Sequence, residues 1–230
     1  MRSSITGPLL ALDTSGRACG VCVWHDGAVL ARADRAMEHG HAEALAPMAG
    51  QVLADAGLSV QDLAAIAVTV GPGSFTGLRV GLAFSRGLAL AAGCPVLGFA
   101  STAVLAVMAA PTEPRDAPIA VIVDARRAEV FLHLFDSGAL SMGDPVSLPP
   151  DRALAMVPNG PVRLFGDGVG LLPMPLPPGA LIAPDAARPP DPAALAEFAA
   201  THPGQAGPPR PLYVRAPDAT LPPPNTRARP

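Results

Sequence analysis

Proline divides this 230-residue chain into two unlike parts, because 22 of its 29 prolines lie between residues 145 and 230. Proline lacks a backbone donor and is disfavoured inside helices and central strands. The proline-rich part can therefore form only short elements. Its clearest helix is predicted at residues 191–202 and its clearest strand at residues 211–215.

Hydrophobic patterning before residue 111 predicts an alternation of strands and helices, and hence an α/β fold. Asp26-Gly27 is typical of a hairpin turn, and Gly93 followed by Pro95 marks the end of a long helix. Ser101 is predicted to cap the next helix. The predicted strands are PLLALDTS, CGVCVWHDG, AVLARADRAM, AIAVTV and PVLGF, and the helices are HAEALAPMAGQVLADAG, the stretch 75–92 and STAVLAVMAA.

After a linker at residues 111–118 the opening pattern restarts. IAVIVDARRAEVFLHLFDSG repeats the layout of LLALDTSGRACGVCVWHDG, with Asp13 and Asp124 in equivalent places. A strand, an Asp turn and a second strand are common, so this pair alone leaves duplication undecided. We predict two units, 1–110 and 111–216, and a disordered tail at 217–230.

The basic residues exclude several reaction classes. All 16 are arginine, so a phosphate-loop, Schiff-base or kinase-type lysine is excluded. The formal net charge of -3 shows no excess of positive charge, which independent nucleic-acid binding normally requires. RNA would therefore be held mainly by a partner. Neither a secretory signal nor a long apolar run is present, which predicts a cytoplasmic protein.

The stretch GPGSFTGLRVGLAFSRGLALAAG, residues 71–93, looks like a phosphate-binding loop opening a helix. Thr76 occupies the third glycine position of the dinucleotide motif, and Pro72 and Thr76 replace the glycines of a serine nucleophile elbow around Ser74. Both motifs are therefore absent. The functional interpretation that remains for this loop is anion binding by the backbone amides of residues 71–77.

Small residues of this helix recur every four positions, at Gly77, Gly81, Ser85 and Ala89. Each interior glycine costs roughly 1 kcal/mol against alanine, so another helix is expected to approach closely. This small-residue ridge predicts a partner surface, and Gly81→Leu or Ser85→Trp should abolish pairing without unfolding the protein.

Two residue groups imitate metal or redox sites. His39 and His41 would point about 200° apart on a helix, although His39 could share an ion with Glu43. Solvated or capping roles are the simpler interpretation of these histidines. Cys19 and Cys22 lie in a strand pattern, on opposite faces, so we interpret them as structural.

Asp13 and Asp124 could form a carboxylate pair around a magnesium nucleotide in an interlobe cleft, with Ser15 and Gly73 as further nucleotide-site candidates. Arg126 and Arg127 occupy positions where a phosphate-binding hairpin needs glycine and small hydroxyl residues. These arginines favour an internal ion pair with Asp124 at this turn.

In their order and spacing, LALDTS, HAEALAPM, VTVGPGSFTGLRVGLAFSRGLALAAG, DARRAEVF and PLYVR resemble the TsaB family of the actin-like ATPase superfamily. The resemblance covers residues 8–135 closely and the remainder loosely. It implies two lobes of ribonuclease-H-like topology, the second reduced. Only His41 matches the usual histidine of the family.

The resemblance also implies a function in forming N6-threonylcarbamoyladenosine at position 37 of tRNAs that read codons beginning with A. The chain would be a catalytically inert subunit that needs no cofactor or metal of its own. It would form a heterodimer with the paralogous transferase TsaD, act with the ATPase TsaE, and reach tRNA only through the complex. Without TsaD it is expected to form a homodimer. The expected interface residues are Leu45, Met48, Val52, Gly77, Val80, Gly81, Phe84, Ser85 and Leu88.

Two alternatives from other classes stay open. An active ATPase or kinase of the actin-like superfamily would need a complete phosphate hairpin in each lobe. A metallopeptidase would need stoichiometric metal on His39, His41 or Glu43.

Overall fold

The structure is a computed structural model that describes residues 5–215. It contains two five-stranded sheets and five α-helices. The predicted α/β fold with two lobes is therefore confirmed. The tail predicted at residues 217–230 lies outside the described residues.

The first sheet has the strand order β3-β2-β1-β4-β5. The first three strands form an antiparallel meander, and β4 and β5 run parallel to β1. Asp26 and Gly27, with φ of 47° and 83°, form the predicted hairpin turn. The strands are β1 (Leu9–Asp13), β2 (Ala18–His25), β3 (Ala28–Ala36), β4 (Ala65–Gly71) and β5 (Val96–Ala100).

The predicted helices of this region are present as α1 (His41–Asp55), α2 (Phe75–Ala92) and α3 (Ser101–Ala109). Gly93 ends α2 with φ of 69°, a left-handed conformation that glycine adopts without strain. The predicted Ser101 cap is wrong: Ala100 holds the cap position. The Ser101 hydroxyl instead donates to the carbonyl of Pro72.

The second sheet has the order β10-β9-β6-β7-β8, which repeats the topology of the first. Three antiparallel strands come first in the chain, and two further strands are added parallel on the other side. Asp13 and Asp124 therefore lie on equivalent strands, as predicted. The strands are β6 (Ile119–Arg126), β7 (Glu129–Phe135), β8 (Val146–Leu148), β9 (Val162–Phe165) and β10 (Ala180–Ile182).

The proline-rich part contributes two helices, α4 (Pro150–Met156) and α5 (Pro192–Thr201). Helix α5 confirms its prediction but returns to the first sheet, where Leu195 and Phe198 pack against Leu9 and Phe99. No strand forms at 211–215, where the prediction is wrong. The boundaries 1–110 and 111–216 stay predictions about sequence segments.

Cys19 and Cys22 confirm their strand assignment. Cys19 packs in the core that α1 and α2 cover, and Cys22 lies in the core that α5 covers. Burial raises the pKa of the Cys19 thiol to about 11 and that of Cys22 to about 12. Neither thiol is therefore a reactive thiolate at neutral pH.

Helix α3 joins the two lobes. Its Leu105 and Ala109 pack on Ile119 and Phe135 of the second sheet. The wholly buried Arg163 then fixes the segment that follows α3. Its guanidinium donates to the backbone carbonyls of Ala109, Ala110, Thr112, Arg115, Ala117 and Ser137.

Candidate functional site

A cavity of about 1090 Å³ lies between the two lobes. The turn between β1 and β2, the first residues of α1 and the start of α2 form its first-lobe wall. The turn between β6 and β7 and residues 212–215 line the rest. Its size suits a small ligand.

Asp13, at the end of β1, lies beneath this cavity and does not line it. One carboxylate oxygen, Oδ1, accepts from the hydroxyls of Ser15 and Thr69, each at 2.6 Å, and from the Ser15 amide at 3.2 Å. The other oxygen, Oδ2, is buried without a protein partner. Burial raises the pKa of Asp13 to about 6, against the lowering effect of these donors.

Asp124 does line the cavity, and its carboxylate is already engaged. Oδ1 accepts from the Arg126 amide at 2.7 Å, and Oδ2 lies 3.2 Å from the Arg126 guanidinium. The predicted ion pair at this turn is therefore confirmed. The Asp124 amide donates to Asp167 Oδ1 at 3.0 Å, while burial raises the pKa of Asp167.

Ser15 and Gly73 both line the cavity, but their contacts are structural. A Cβ on Gly73 would lie 2.2 Å from the carbonyl oxygen of Ser15. That oxygen accepts from the Ser74 amide at 2.7 Å. Gly73 therefore allows two loops of the same lobe to approach, a requirement that accounts for the glycine without a phosphate.

The small-residue ridge of α2 faces its own chain. A Cβ on Gly77 would lie 2.1 Å from the Thr14 carbonyl oxygen, and one on Gly81 would lie 2.4 Å from Thr14 Oγ1. Ser85 is wholly buried and donates to the Gly81 carbonyl. The expectation that these residues face a partner is wrong, because the β1–β2 turn is the close neighbour of Gly77 and Gly81, and Ser85 has no exposed area.

The other expected interface residues divide by burial. Leu45, Met48 and Val52 are buried in the first-lobe core, so they offer no surface. Val80, Phe84 and Leu88 are half-buried at the edge of the same core. The last three alone keep area that another molecule could cover.

A second set of small residues, which the sequence reasoning missed, lies on the exposed side of both helices. Gly50 and Gly87 are interior helical glycines, and a Cβ on either would meet nothing within 4 Å. Leu90, three residues after Gly87 on α2, is 87% exposed. We call this set the outer small-residue face: Ala42, Ala46, Gly50 and Ala54 on α1, and Ala83, Gly87 and Ala91 on α2. Four-residue spacing on α1 was the signal in the sequence.

The histidines near α1 do not converge. His41 is buried and its Nε2 lies 3.2 Å from the carbonyl oxygen of Ala18, an acceptor that fixes this nitrogen as a donor. His39 is exposed. Within residues 5–215, no group of three or more His, Cys, Asp or Glu side chains could hold a metal ion.

An aromatic pair at the edge of the cavity was also missed. Phe75 and Tyr213, each 54% exposed, have ring centroids 5.6 Å apart. The Arg79 guanidinium carbon lies 3.6 Å from the Phe75 ring centroid. The two rings are 138 positions apart in the chain, and sequence spacing carries no signal for such a contact.

Two lobes of one ribonuclease-H-like topology around a cleft define an α/β protein of the actin-like superfamily. A family model described as TsaD, tRNA N6-adenosine threonylcarbamoyltransferase, matches residues 34–149. The solved structure titled YeaZ from Pseudomonas aeruginosa superposes with a TM-score of 0.76 and 32% identity, covering 90% of this chain and 100% of that chain. The chain belongs to the TsaB family within this TsaD-related group.

Two relatives show how far the similarity extends. The TsaB protein of Escherichia coli K12, named for tRNA threonylcarbamoyladenosine biosynthesis, is 37% identical over 123 residues, 54% of this chain and 52% of that protein. An uncharacterised protein of Mycobacterium tuberculosis H37Rv is 34% identical over 215 residues, 92% of this chain and 93% of that protein. The chain therefore matches about half the length of the curated TsaB proteins. Among the described residues, no helix has the length and apolarity to cross a membrane.

Proposed function

We propose that this protein is a non-catalytic partner subunit of the complex that forms N6-threonylcarbamoyladenosine at position 37 of tRNAs that read codons beginning with A. In this proposal it pairs with TsaD, enables the action of TsaE, and meets tRNA only through the complex. In the absence of TsaD it forms a homodimer. Its relation to curated TsaB proteins supports the choice of pathway.

The observation that carries the pairing proposal is the open space around Gly50 and Gly87. Interior helical glycines cost roughly 1 kcal/mol each relative to alanine. Gly77 and Gly81 are required by contacts within the chain, but no such contact requires Gly50 or Gly87. Close approach of a partner helix would explain why glycine, and not alanine, occupies these two positions.

The partner is expected to present helices of the same kind. The matched TsaD family model spans residues 34–149, which include both α1 and α2. Two related chains can therefore pair through equivalent helices about a pseudo-twofold axis, forming a four-helix bundle. The same symmetry allows two copies of this chain to pair when TsaD is absent.

A non-catalytic role agrees with the two equivalent aspartates. Asp13 is 1% exposed and lies off the cavity, and Asp124 is paired with Arg126. The Asp13 carboxylate is therefore not presented to the cavity, and that of Asp124 is occupied by the Arg126 guanidinium. A magnesium nucleotide held by the Asp124 carboxylate would have to compete with the Arg126 guanidinium.

Size-exclusion chromatography with light scattering, on this protein alone and mixed with TsaD from the same organism, tests the proposal. A heterodimer should form. Ala46→Arg and Gly87→Arg should weaken it at least tenfold, because both place a long charged side chain on the outer small-residue face. Ala155→Arg, on exposed α4, is the matched control and should pair normally.

Reconstituted threonylcarbamoyl transfer to tRNA then tests the role. Transfer should require this protein together with TsaD, TsaE and the threonylcarbamoyl donor. Normal pairing by folded Gly87→Arg would reject the proposed face. Nucleotide-dependent thermal stabilisation and turnover by this chain alone would reject the non-catalytic role and favour the ATPase alternative.

A further inference from the structure

A segment after α5, residues 206–215, runs from the first lobe to the second across the edge of the cavity. We call it the C-terminal strap. Gly207 exchanges two backbone hydrogen bonds with Gly98 of β5, at 2.8 and 3.1 Å. The Leu212 amide then donates to the Val70 carbonyl of β4 at 2.8 Å. These bonds fix the first part of the strap to the first sheet.

Helix α2 holds the middle of the strap. The Arg86 guanidinium donates to the Pro209 carbonyl, and Arg79 Nε lies 3.4 Å from the Tyr213 hydroxyl oxygen. Tyr213 packs on Phe75, at the first residue of the helix. The strap is therefore bound along the first lobe up to the edge of the cavity.

Arg215 makes the crossing to the second lobe. Its Nε donates to Glu129 Oε2 at 2.9 Å, and its Nη2 donates to the Arg126 carbonyl at 3.2 Å. Glu129 Oε2 also accepts from the Ser147 hydroxyl at 2.6 Å. The crossing thus ends on the turn between β6 and β7.

That turn has an unusual backbone. Arg126, Arg127 and Ala128 have φ of 62°, 55° and 59°, so three consecutive residues with side chains are left-handed. Such residues are strained, and surrounding contacts must hold them in place. The bond from Arg215 to the Arg126 carbonyl is one such contact.

Two different connections join the lobes. In one of them, α3 and the chain that follows it contact the second lobe through apolar packing and the buried Arg163. Residues of α3 do not line the cavity, whereas Leu212, Tyr213, Val214 and Arg215 do. The connection through α3 therefore lies away from the cavity, whereas the strap borders it.

We propose that the C-terminal strap is a latch that sets the separation of the two lobes, with the Arg215–Glu129 pair as its releasable contact. The Arg215 and Glu129 side chains are 25% and 34% exposed, so water and salt reach the pair. A partly exposed ion pair contributes little and weakens with ionic strength. Release therefore needs little free energy, and the lobes exchange between a latched and an open arrangement.

Pulsed electron paramagnetic resonance distances test the latch in the full-length chain. One spin label is placed at Gln61→Cys in the first lobe and one at Ala155→Cys in the second, both exposed positions, with Cys94→Ser. The buried Cys19 and Cys22 thiols, with raised pKa, remain unlabelled. At low salt we expect the latched arrangement to be the main component of the distance distribution of this background.

Arg215→Ala should shift or broaden that distribution, and 1 M salt should do the same to the unsubstituted strap. Arg210→Ala is the matched control, since Arg210 is exposed on the same strap and its side chain makes no hydrogen bond or ion pair in the described structure. Glu129→Gln provides a second, independent weakening of the pair. Unchanged distributions for both Arg215→Ala and Glu129→Gln would overturn the proposal, as would an equal change in Arg210→Ala.

Discussion

Arg163 Nη1 lies 2.6 Å from the carbonyl oxygen of Ala110, just beyond the last residue of α3. No carboxylate accepts a hydrogen bond from this wholly buried guanidinium in the described structure; its acceptors are backbone carbonyls. The carbonyls at the end of a helix lack partners within the helix and carry partial negative charge. Arg163 donates to the carbonyl of Ala110 and adds a donor to that of Ala109, which also accepts from the Thr112 amide and hydroxyl.

Arg163→Met should destabilise the protein strongly, because it removes the guanidinium donor from the carbonyls of Ala110, Thr112 and Ala117, which are buried or half-buried. Each unsatisfied buried group costs about 1–3 kcal/mol, so we expect a loss of roughly 3 kcal/mol or more in the free energy of unfolding. Urea denaturation measures it. Arg152→Met on the exposed surface of α4 is the control and should change stability little; an equal effect of both substitutions would contradict this role for Arg163.

Gly77→Ala and Gly87→Ala should change stability in opposite directions. At Gly77 the new Cβ would lie 2.1 Å from the Thr14 carbonyl oxygen, a backbone atom that cannot move freely. Overpacking of this kind costs about 1–3 kcal/mol. At Gly87 the space is open, so alanine should stabilise the free protein by up to about 1 kcal/mol. Urea denaturation measures the free energy of unfolding of the two variants. Equal destabilisation would mean that Gly87 is also packed within its own chain.

Asp13→Asn should remove a pH dependence of stability. The folded protein holds the Asp13 proton up to about pH 6, whereas the ordinary pKa of the free side chain is 3.8. Protonation therefore favours the folded state, fully below pH 3.8, and this contribution is lost as the pH rises to 6. Relative to the variant, the wild type should lose up to about 3 kcal/mol across this window, since one pKa unit is worth about 1.4 kcal/mol.

Urea denaturation at pH 4, 5, 6 and 7 measures that difference. Asp26→Asn is the control, because the Asp26 side chain is 84% exposed in a hairpin where asparagine is equally suited. A constant difference between wild type and Asp13→Asn over the four pH values would show that Asp13 ionises normally in the folded protein.

The strands and helices before residue 111 were predictable because each has a clear hydrophobic period and a recognisable start or end, such as Asp26-Gly27 or Gly93. The strand predicted at 211–215 failed for a physical reason. Valine and tyrosine favour strands there, but this segment meets the first sheet through a single backbone bond from Leu212 to Val70. Pairing, rather than composition, makes a strand.

The candidate site was harder to predict than the fold. Helix α2 has two sides with small residues, one at Gly77 and Gly81 and one at Ala83 and Gly87, and both have the same four-residue spacing. Spacing cannot say which side packs against the β1–β2 turn. Asp13 and Asp124 likewise share a sequence pattern, but their burial depends on turns whose contacts come from distant residues, Thr69 and Asp167.

The return of α5 to the first sheet has a consequence for synthesis on the ribosome. Leu9 and Phe99 belong to a sheet face that α3 covers only in part and that stays incomplete until residues 192–201 have been made. During that interval the growing chain presents an apolar surface, which in incomplete proteins promotes aggregation. A message that terminates before codon 192 would therefore yield an insoluble fragment, even though every strand of both sheets has already been translated.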